Sequence, residues 1–241
     1  MPSFSRGETR IAYEVHGAGY PVLLLAPGGM RSNRSFWQRT PFDPTLELCE
    51  HFQVIAMDQR NAGASRAPVH ATDGWHTYAE DQLALLDELG IERCHLFGGC
   101  IGGAFALALI DRAPTRVSAA VLQQPIGRSD SNRETFHDLV QGWAEELLGA
   151  RPELSAEVLT SLESNLYDRD FAFSVTREQV ARCSVPLLVL RGDDQYHPAA
   201  VSEEIARIAP RAELIRSWKT GDDMARAVAR VRSFLREHTP R

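Results

Sequence analysis

The sequence predicts an α/β fold: a doubly wound, mostly parallel sheet of about eight strands that carries a small helical cap. Two observations support this prediction. Short, almost wholly apolar runs recur along the chain of 241 residues, and stretches with helical periodicity separate them. Such runs are typical of strands buried on both faces of a parallel sheet. Alternation of strands and helices is typical of doubly wound folds.

The strand predictions start with residues 9–15 (TRIAYEV), in which polar and apolar side chains alternate as in an edge strand. A last strand is predicted at residues 212–216 (AELIR). The other predicted strands are apolar runs at 21–26, 53–58, 95–98, 118–123 and 186–191.

Helix boundaries follow from capping patterns. Residues 77–80 (TYAE) have the spacing of a capping box, and Gly90 is suited to end the helix that this box opens. Two further candidate boxes lie at 131–134 and 176–179. The final helix is predicted from about Asp222, with one apolar face along its length.

The alternation of strands and helices is interrupted once. Residues 126–183 show helical patterns and no clear strand. We therefore predict an α/β core formed by residues 1–125 and 184–241, with residues 126–183 inserted as a helical cap. Two interpretations of the aromatic and apolar residues in this cap stay open: they line a pocket from above, or they pack as a small core. These residues are Phe136, Trp143, Leu147 and Tyr167.

Composition argues against several classes of function. Lys and Arg number 26 against 32 Asp and Glu, a net charge of −6, and no basic stripe suggests nucleic acid as a partner. No apolar run approaches the roughly 20 residues of a membrane span, and no apolar segment of a signal peptide follows the first residues. The four cysteines form no CxxC pair, so neither a disulfide framework nor a zinc site is expected. We expect a cytoplasmic protein without metal or cofactor that acts on a small molecule, with a homodimer left open.

The strongest motif is the run Gly98-Gly99-Cys100-Ile101-Gly102-Gly103, which ends a predicted strand and opens a helix rich in Ala and Leu. Glycines on both sides of Cys100 allow a sharp, strained turn that lifts its side chain above the sheet. The N-terminus of the following helix favours the thiolate, which is the nucleophilic form of cysteine. The alternative is that Cys100 is a small buried hydrophobic residue, as cysteines often are.

This strand, turn and helix resemble the nucleophile elbow of the α/β-hydrolase-fold superfamily, with cysteine where serine is usual. The resemblance runs nearly end to end. It implies that the loop Ala26–Met30 takes the place of the family's His-Gly oxyanion loop, with the N–H groups of Gly29 and Ile101 forming an oxyanion hole. It also implies that residues 58–65 (DQRNAGAS) form a mainly structural turn beside the site.

The resemblance extends to the acid of a catalytic triad. Residues 188–198 (LVLRGDDQYHP) are similar to the family's strand, glycine, acid and closing proline. The four-residue spacing from Pro198 selects Asp194 as the acid that would orient a histidine, and the neighbouring Asp193 is its competitor.

The family's histidine should follow the last strand, but residues 217–223 (SWKTGDD) contain none. His238 lies beyond the final helix, too far away to serve as the base. His197, three residues after Asp194, is the preferred substitute, and His137 and His76 are weaker candidates.

These residues predict a hydrolase that acts on an ester, lactone or thioester of a small organic substrate through Cys100. The catalytic residues would be Cys100, Asp194 and His197. Two other interpretations stay open. One is a catalytically silent binding protein of the same fold, and the other is a lyase, isomerase or cyclase that uses the oxyanion pocket without a full triad.

Overall fold

The computed structural model of the protein describes residues 2–130, 132–151 and 153–240. One mixed sheet of eight strands lies at its centre. The strands are β1 (Ser3–Arg6), β2 (Thr9–His16), β3 (Pro21–Leu25), β4 (Gln53–Met57), β5 (Cys94–Gly99), β6 (Val117–Gln123), β7 (Leu187–Leu190) and β8 (Ala212–Ile215).

The strand order across the sheet is β1-β2-β4-β3-β5-β6-β7-β8. β2 pairs antiparallel with both β1 and β4, and every other pair is parallel. The predicted eight-stranded, mostly parallel sheet is therefore confirmed. One detail of the prediction is wrong: residues 9–15 do not form an edge strand, because the short strand β1, which the sequence patterns did not single out, covers that edge.

In the described part of the chain, eight α-helices accompany the sheet, and short 3₁₀ segments add to them at Gly29–Arg31, Arg34–Arg39 and Pro114–Arg116. The α-helices are α1 (Pro44–Leu48), α2 (Trp75–Glu88), α3 (Ile101–Arg112), α4 (Arg133–Ala150), α5 (Ala156–Tyr167), α6 (Arg177–Ala181), α7 (Ala199–Ile208) and α8 (Gly221–Glu237).

The helix starts agree only in part with the capping predictions. Thr176 and Gln179 form a capping box at the start of α6, as predicted. Thr77 is not the N-cap of α2. The N-cap is Gly74, three residues earlier, and the Thr77 hydroxyl accepts a hydrogen bond of 3.1 Å from the N–H of Gly74. Ser131, the first residue of the remaining predicted box, lies outside the described residues.

The sheet separates two apolar layers, one on each of its faces. Side chains of β3 to β7 are buried on both faces, which explains why these strands are continuous apolar runs in the sequence. Because β3, β5, β6 and β7 are parallel neighbours, their carboxyl ends meet at one edge of the sheet. The loops that follow them bring residues 28–30, 100 and 194–197 to that edge, where ligands bind in open α/β sheets.

Helices α4, α5 and α6 lie between β6 and β7 in the chain, and no strand interrupts them among the described residues of 126–183. In the part of the chain that the structure describes, no helix is both long and apolar enough to cross a membrane.

Candidate active site

Cys100 occupies a strained turn between β5 and α3. Its φ of 57° and ψ of −119° lie outside the regions that residues with a side chain usually adopt, at a cost of order 1–3 kcal/mol. Backbone hydrogen bonds hold this conformation: the Cys100 N–H donates to the Gln123 carbonyl, and the Cys100 carbonyl accepts from the N–H groups of Gly103 and Ile126. The half-buried thiol is thereby fixed at the N-terminus of α3.

The glycines around Cys100 are required by close packing. A Cβ atom at Gly98 would lie 2.2 Å from the Gly102 carbonyl oxygen, and one at Gly102 would lie 1.8 Å from the Leu25 carbonyl oxygen. Both distances are far below van der Waals contact. The first turn of α3 can therefore approach β3 and β5 only because these positions lack side chains.

The loop after β3 faces Cys100 across a cavity. Gly28 and Gly29 have φ angles of 115° and 59°, conformations that favour glycine. Gly29 begins a 3₁₀ segment and Ile101 begins α3, so their N–H groups are among those that have no acceptor within their own helix. Both residues line the same cavity as Cys100. Two N–H groups without an acceptor in their own helix, at one cavity with the thiol, are what an oxyanion hole requires.

Asp194 and His197 form a pair within one tight loop. Nδ1 of His197 lies 2.8 Å from the Asp194 carboxylate, which also accepts hydrogen bonds from the backbone N–H groups of Tyr196 and His197. Asp193 points elsewhere and forms an ion pair with Lys219. Of the two candidate acids, Asp194 is the one in contact with a histidine.

The remaining ring nitrogen of His197, Nε2, is buried and has no hydrogen-bond partner of normal geometry among the described residues. The Cys100 side chain is its neighbour in the cavity and interacts with the ring. The Cys100 thiol, the His197 imidazole and the Asp194 carboxylate therefore lie side by side in that order. The imidazole comes from the loop after β7 and not from the loop after β8.

Opposing effects set the pKa values of this pair. Burial lowers the pKa of His197, but the Cys100 and Asp194 side chains raise it, and the net direction is upward from 6.5. Burial raises the pKa of Asp194, but the hydrogen bonds and the charge of His197 lower it, and the net direction is downward. Asp194 is thus kept ionised and supports a protonated imidazole.

Gly192 has no side chain, and His197 occupies the space that a side chain at this position would fill. A Cβ atom at Gly192 would lie 2.2 Å from the His197 carbonyl oxygen and 2.6 Å from the His197 Cβ atom. The N–H of Gly192 donates to the buried Ser202 hydroxyl at 3.0 Å, which ties the end of β7 to α7. Asn132 fixes the same loop from the other side, since its amide nitrogen donates to the Gln195 carbonyl at 2.9 Å.

The cavity at Cys100 has a volume of about 320 Å³ and is mostly apolar. Helix α4 contributes Phe136, Leu139 and Val140 to its wall, and Tyr167 at the end of α5 stacks on Phe136. The other lining residues are Gly28, Gly29, Met30, Arg31, Phe36, Cys100, Ile101, Ile126, Tyr196 and His197. The aromatic residues of 126–183 thus divide between the two interpretations. Phe136 and Tyr167 line the cavity at Cys100, whereas the buried Trp143 and Leu147 lie outside it, beside a neighbouring cavity.

The other histidine candidates lie elsewhere. His137 is exposed on α4 and pairs with Glu163 of α5, and His76 contacts the Thr77 hydroxyl. His238 is held at the end of α8, where its ring bonds to the Phe234 carbonyl. No metal-binding group of three or more His, Cys, Asp or Glu side chains is found among the described residues.

Asp58 and Arg60 stabilise loops beside the site. The Asp58 carboxylate accepts from the N–H groups of Arg34 and Ala64, and the Arg60 guanidinium forms ion pairs with the buried Asp73 and Asp81. Neither residue lines the cavity at Cys100, which agrees with a structural role.

Sequence reasoning assigned no role to several residues at the site, among them Arg31 and Met30. Arg31 follows the glycine turn and lines the cavity, and the Met30 sulfur accepts a hydrogen bond of 3.5 Å from the Tyr167 hydroxyl. Proximity to Gly28 and Gly29 is the one signal in the sequence that could have drawn attention to them.

A family model described as alpha/beta hydrolase fold matches residues 21–184, about two thirds of the chain. The chain belongs to the alpha/beta hydrolase fold family. RutD of Azorhizobium caulinodans, named as a carbamate hydrolase, is 29% identical over 89% of this chain and 88% of its own length. The carboxylesterase YbfK of Bacillus subtilis is 25% identical over 82% of this chain and 73% of its own length.

Solved structures share the fold. A meta-cleavage product hydrolase of Pseudomonas fluorescens IP01 superposes with a TM-score of 0.74 at 23% identity, over 99% of this chain and 98% of that one. Because both relatives are named as hydrolases, the chain is a hydrolase of the alpha/beta hydrolase fold family.

Proposed function

We propose that the protein hydrolyses an ester, lactone or thioester of a small organic substrate, with Cys100 as nucleophile. The observation that carries the proposal is the pair formed by His197 and Asp194, at 2.8 Å, with the free Nε2 of His197 beside Cys100. A nucleophile within reach of a base that a third group orients is the arrangement expected for covalent acyl transfer.

In the acylation step, the Cys100 sulfur attacks the substrate carbonyl carbon and its proton passes to Nε2 of His197. The carbonyl oxygen becomes an oxyanion that the N–H groups of Gly29 and Ile101 stabilise. When the tetrahedral intermediate collapses, the bond to the leaving group breaks and His197 returns the proton to the departing alcohol or thiol. The acyl group remains on Cys100 as a thioester.

In the deacylation step, water attacks the thioester carbon while Nε2 of His197 takes the water proton. The C–S bond then breaks, the acid is released, and the sulfur recovers the proton from His197. General-base assistance of this kind contributes typically about 10²–10⁴-fold to a rate. His197 thus supplies the imidazole that residues 217–223 lack.

The cavity supports a small organic substrate, because about 320 Å³ bounded mainly by apolar side chains suits a compact acyl group. The names of the two relatives, a carbamate hydrolase and a carboxylesterase, support attack on a carbonyl bonded to a heteroatom. The oriented and desolvated imidazole counts against a silent binding protein, since a histidine without a task at this place could be solvated or replaced.

The test is a panel of p-nitrophenyl esters and acyl thioesters assayed with wild type, Cys100→Ala and His197→Ala. Hydrolysis should be lost in Cys100→Ala. In His197→Ala, a thiolate at the N-terminus of α3 should still attack an activated ester, whereas water loses its base, so an acyl adduct should accumulate on Cys100 and be detected by intact-protein mass spectrometry. Cys49→Ala is the matched control, because Cys49 is a free cysteine outside the cavity.

Two results would contradict the mechanism. Turnover that survives both Cys100→Ala and His197→Ala would favour non-covalent lyase, isomerase or cyclase chemistry in the same cavity. A lack of turnover with every ester and thioester, in a protein that still binds small apolar acids at the cavity, would favour the binding protein.

A further inference from the structure

We propose that a second cavity, next to the one at Cys100, binds an anionic group, a carboxylate or a phosphate, that the substrate carries at a distance from its reacting carbonyl. The inference deepens the proposed function, on which its kinetic test depends. It specifies an acyl substrate with a negatively charged extension.

The second cavity has a volume of about 430 Å³ and, like the first, is lined in part by α4. Phe136, Leu139 and Val140 face the first cavity, and the next turns of the same helix face the second. Arg31 lines both cavities and marks their junction. The residues around the second cavity are Arg31, Asn33, Asn61, Ala62, Gly63, Arg66, Trp143, Glu146, Leu147, Ala150 and Arg151.

Positive charge predominates in this second cavity, since its described lining residues include three arginines and one carboxylate, that of Glu146. Arg66 donates only to the carbonyl oxygens of Gly63 and Ser65, and among the described residues no carboxylate lies within 4.0 Å of it. A guanidinium has five N–H donors, so Arg66 keeps both its charge and spare donors for a ligand.

The other two arginines are held in place by contacts that an incoming anion can share. Arg151 donates to the Ala67 carbonyl at 2.7 Å and pairs with Glu153, which is 62% exposed. Arg31 pairs at 2.7 Å with Glu146, which is 66% exposed. Each of these exposed ion pairs is made through the Nε atom of its arginine and is weak, so an incoming carboxylate or phosphate can bind the N–H groups that the pair leaves available.

The kinetic test compares substrates that differ only in the distal group. The p-nitrophenyl monoester of suberic acid is paired with p-nitrophenyl octanoate, and acetyl-coenzyme A with S-acetyl-N-acetylcysteamine. The first pair probes a carboxylate on the acyl group and the second a phosphate on the leaving group. We expect at least one anionic substrate to be preferred about tenfold in kcat/KM, through KM, and the preference to fall at high salt.

Arg66→Gln and Arg151→Gln should each remove most of that preference and leave the neutral substrates unaffected. Arg112→Gln is the matched control, because Arg112 is an exposed arginine paired with Glu80 away from both cavities. Equal kcat/KM values within both pairs, or a preference that both substitutions leave intact, would overturn the proposal.

A binding experiment separates this proposal from the proposed function. Suberate and free coenzyme A are titrated calorimetrically into Cys100→Ala, with and without Arg66→Gln. Binding that depends on Arg66, together with absent turnover in the wild type, would leave the anion site standing and refute the hydrolytic mechanism. No binding of either anion would refute the anion site, whatever the activity.

Discussion

Replacing Gly192 by alanine tests how closely the activity depends on the position of His197. The added Cβ atom would lie 2.2 Å from the His197 carbonyl oxygen, and ordinary contact begins near 3.4 Å. The loop therefore has to move by about 1 Å, and a misplacement of this size can cost roughly 10²-fold in rate. Overpacking should also destabilise the fold by about 1–3 kcal/mol.

We expect Gly192→Ala to lower kcat/KM for a p-nitrophenyl ester about 100-fold and to lower Tm by roughly 2–12 °C. Rates are measured well below Tm, and circular dichroism verifies that the variant is folded. Gly149→Ala is the control, because Gly149 lies in α4 with no neighbouring atom within 4 Å of a Cβ, so activity should not change. A folded Gly192→Ala with the kcat/KM of the wild type would refute the role assigned to His197.

Three further predictions concern titrating groups. Cys100 should react fastest with iodoacetamide when peptide mass spectrometry ranks the four thiols, because burial raises the pKa of both buried cysteines; slowest labelling at Cys100 would contradict an activated thiol. Asp194→Asn removes a group that raises the pKa of His197. The acid limb of the pH profile of kcat/KM should therefore move to lower pH, and the maximal kcat/KM should fall. An unmoved limb would exclude His197 as the titrating base. Burial lowers the pKa of His95 from 6.5 to about 3, and a nearby histidine adds a smaller effect in the same direction. As the pH drops below 6.5, the unfolded state therefore binds a proton that the folded state does not, and the free energy of unfolding decreases. Urea unfolding should show a loss of roughly 2–3 kcal/mol between pH 7 and 4.5 that His95→Gln reduces and that His16→Gln, at an exposed position, leaves intact.

Features that depend on local patterns could be predicted from the sequence. Apolar runs located the five strands β3 to β7, because burial on both faces leaves little room for polar residues. The glycines around Cys100 predicted a strained turn, and the positive φ of 57° at Cys100 bears this out. The four-residue spacing from Pro198 selected Asp194, and in the structure Asp194 rather than Asp193 contacts His197.

Features that depend on distant parts of the chain could not be predicted. Whether His137 or His197 reaches Cys100 is decided by how α4 lies over the sheet, and the helix turns His137 outward to Glu163. The start of α2 was misplaced because Gly74, which is extended at φ −174° and ψ −164°, suits the N-cap position without a capping side chain. The position of Arg31 between two cavities follows from the packing of α4 on the loop after β3, which no local pattern encodes.

The acid and the proposed base lie three residues apart in a single turn, which changes what the rest of the chain must contribute. A histidine on the loop after β8 would have to be brought to its aspartate by closing a loop of more than 20 residues, and each rearrangement of β8 or α8 would disturb the pair. Here the pair closes locally at little entropic cost. In the proposed mechanism the segment 217–220 therefore serves packing alone: Trp218 is buried and its indole N–H donates to the Arg191 carbonyl at 2.8 Å, so an engineer who keeps Trp218 could vary the exposed Ser217 and Thr220 without touching the reacting groups.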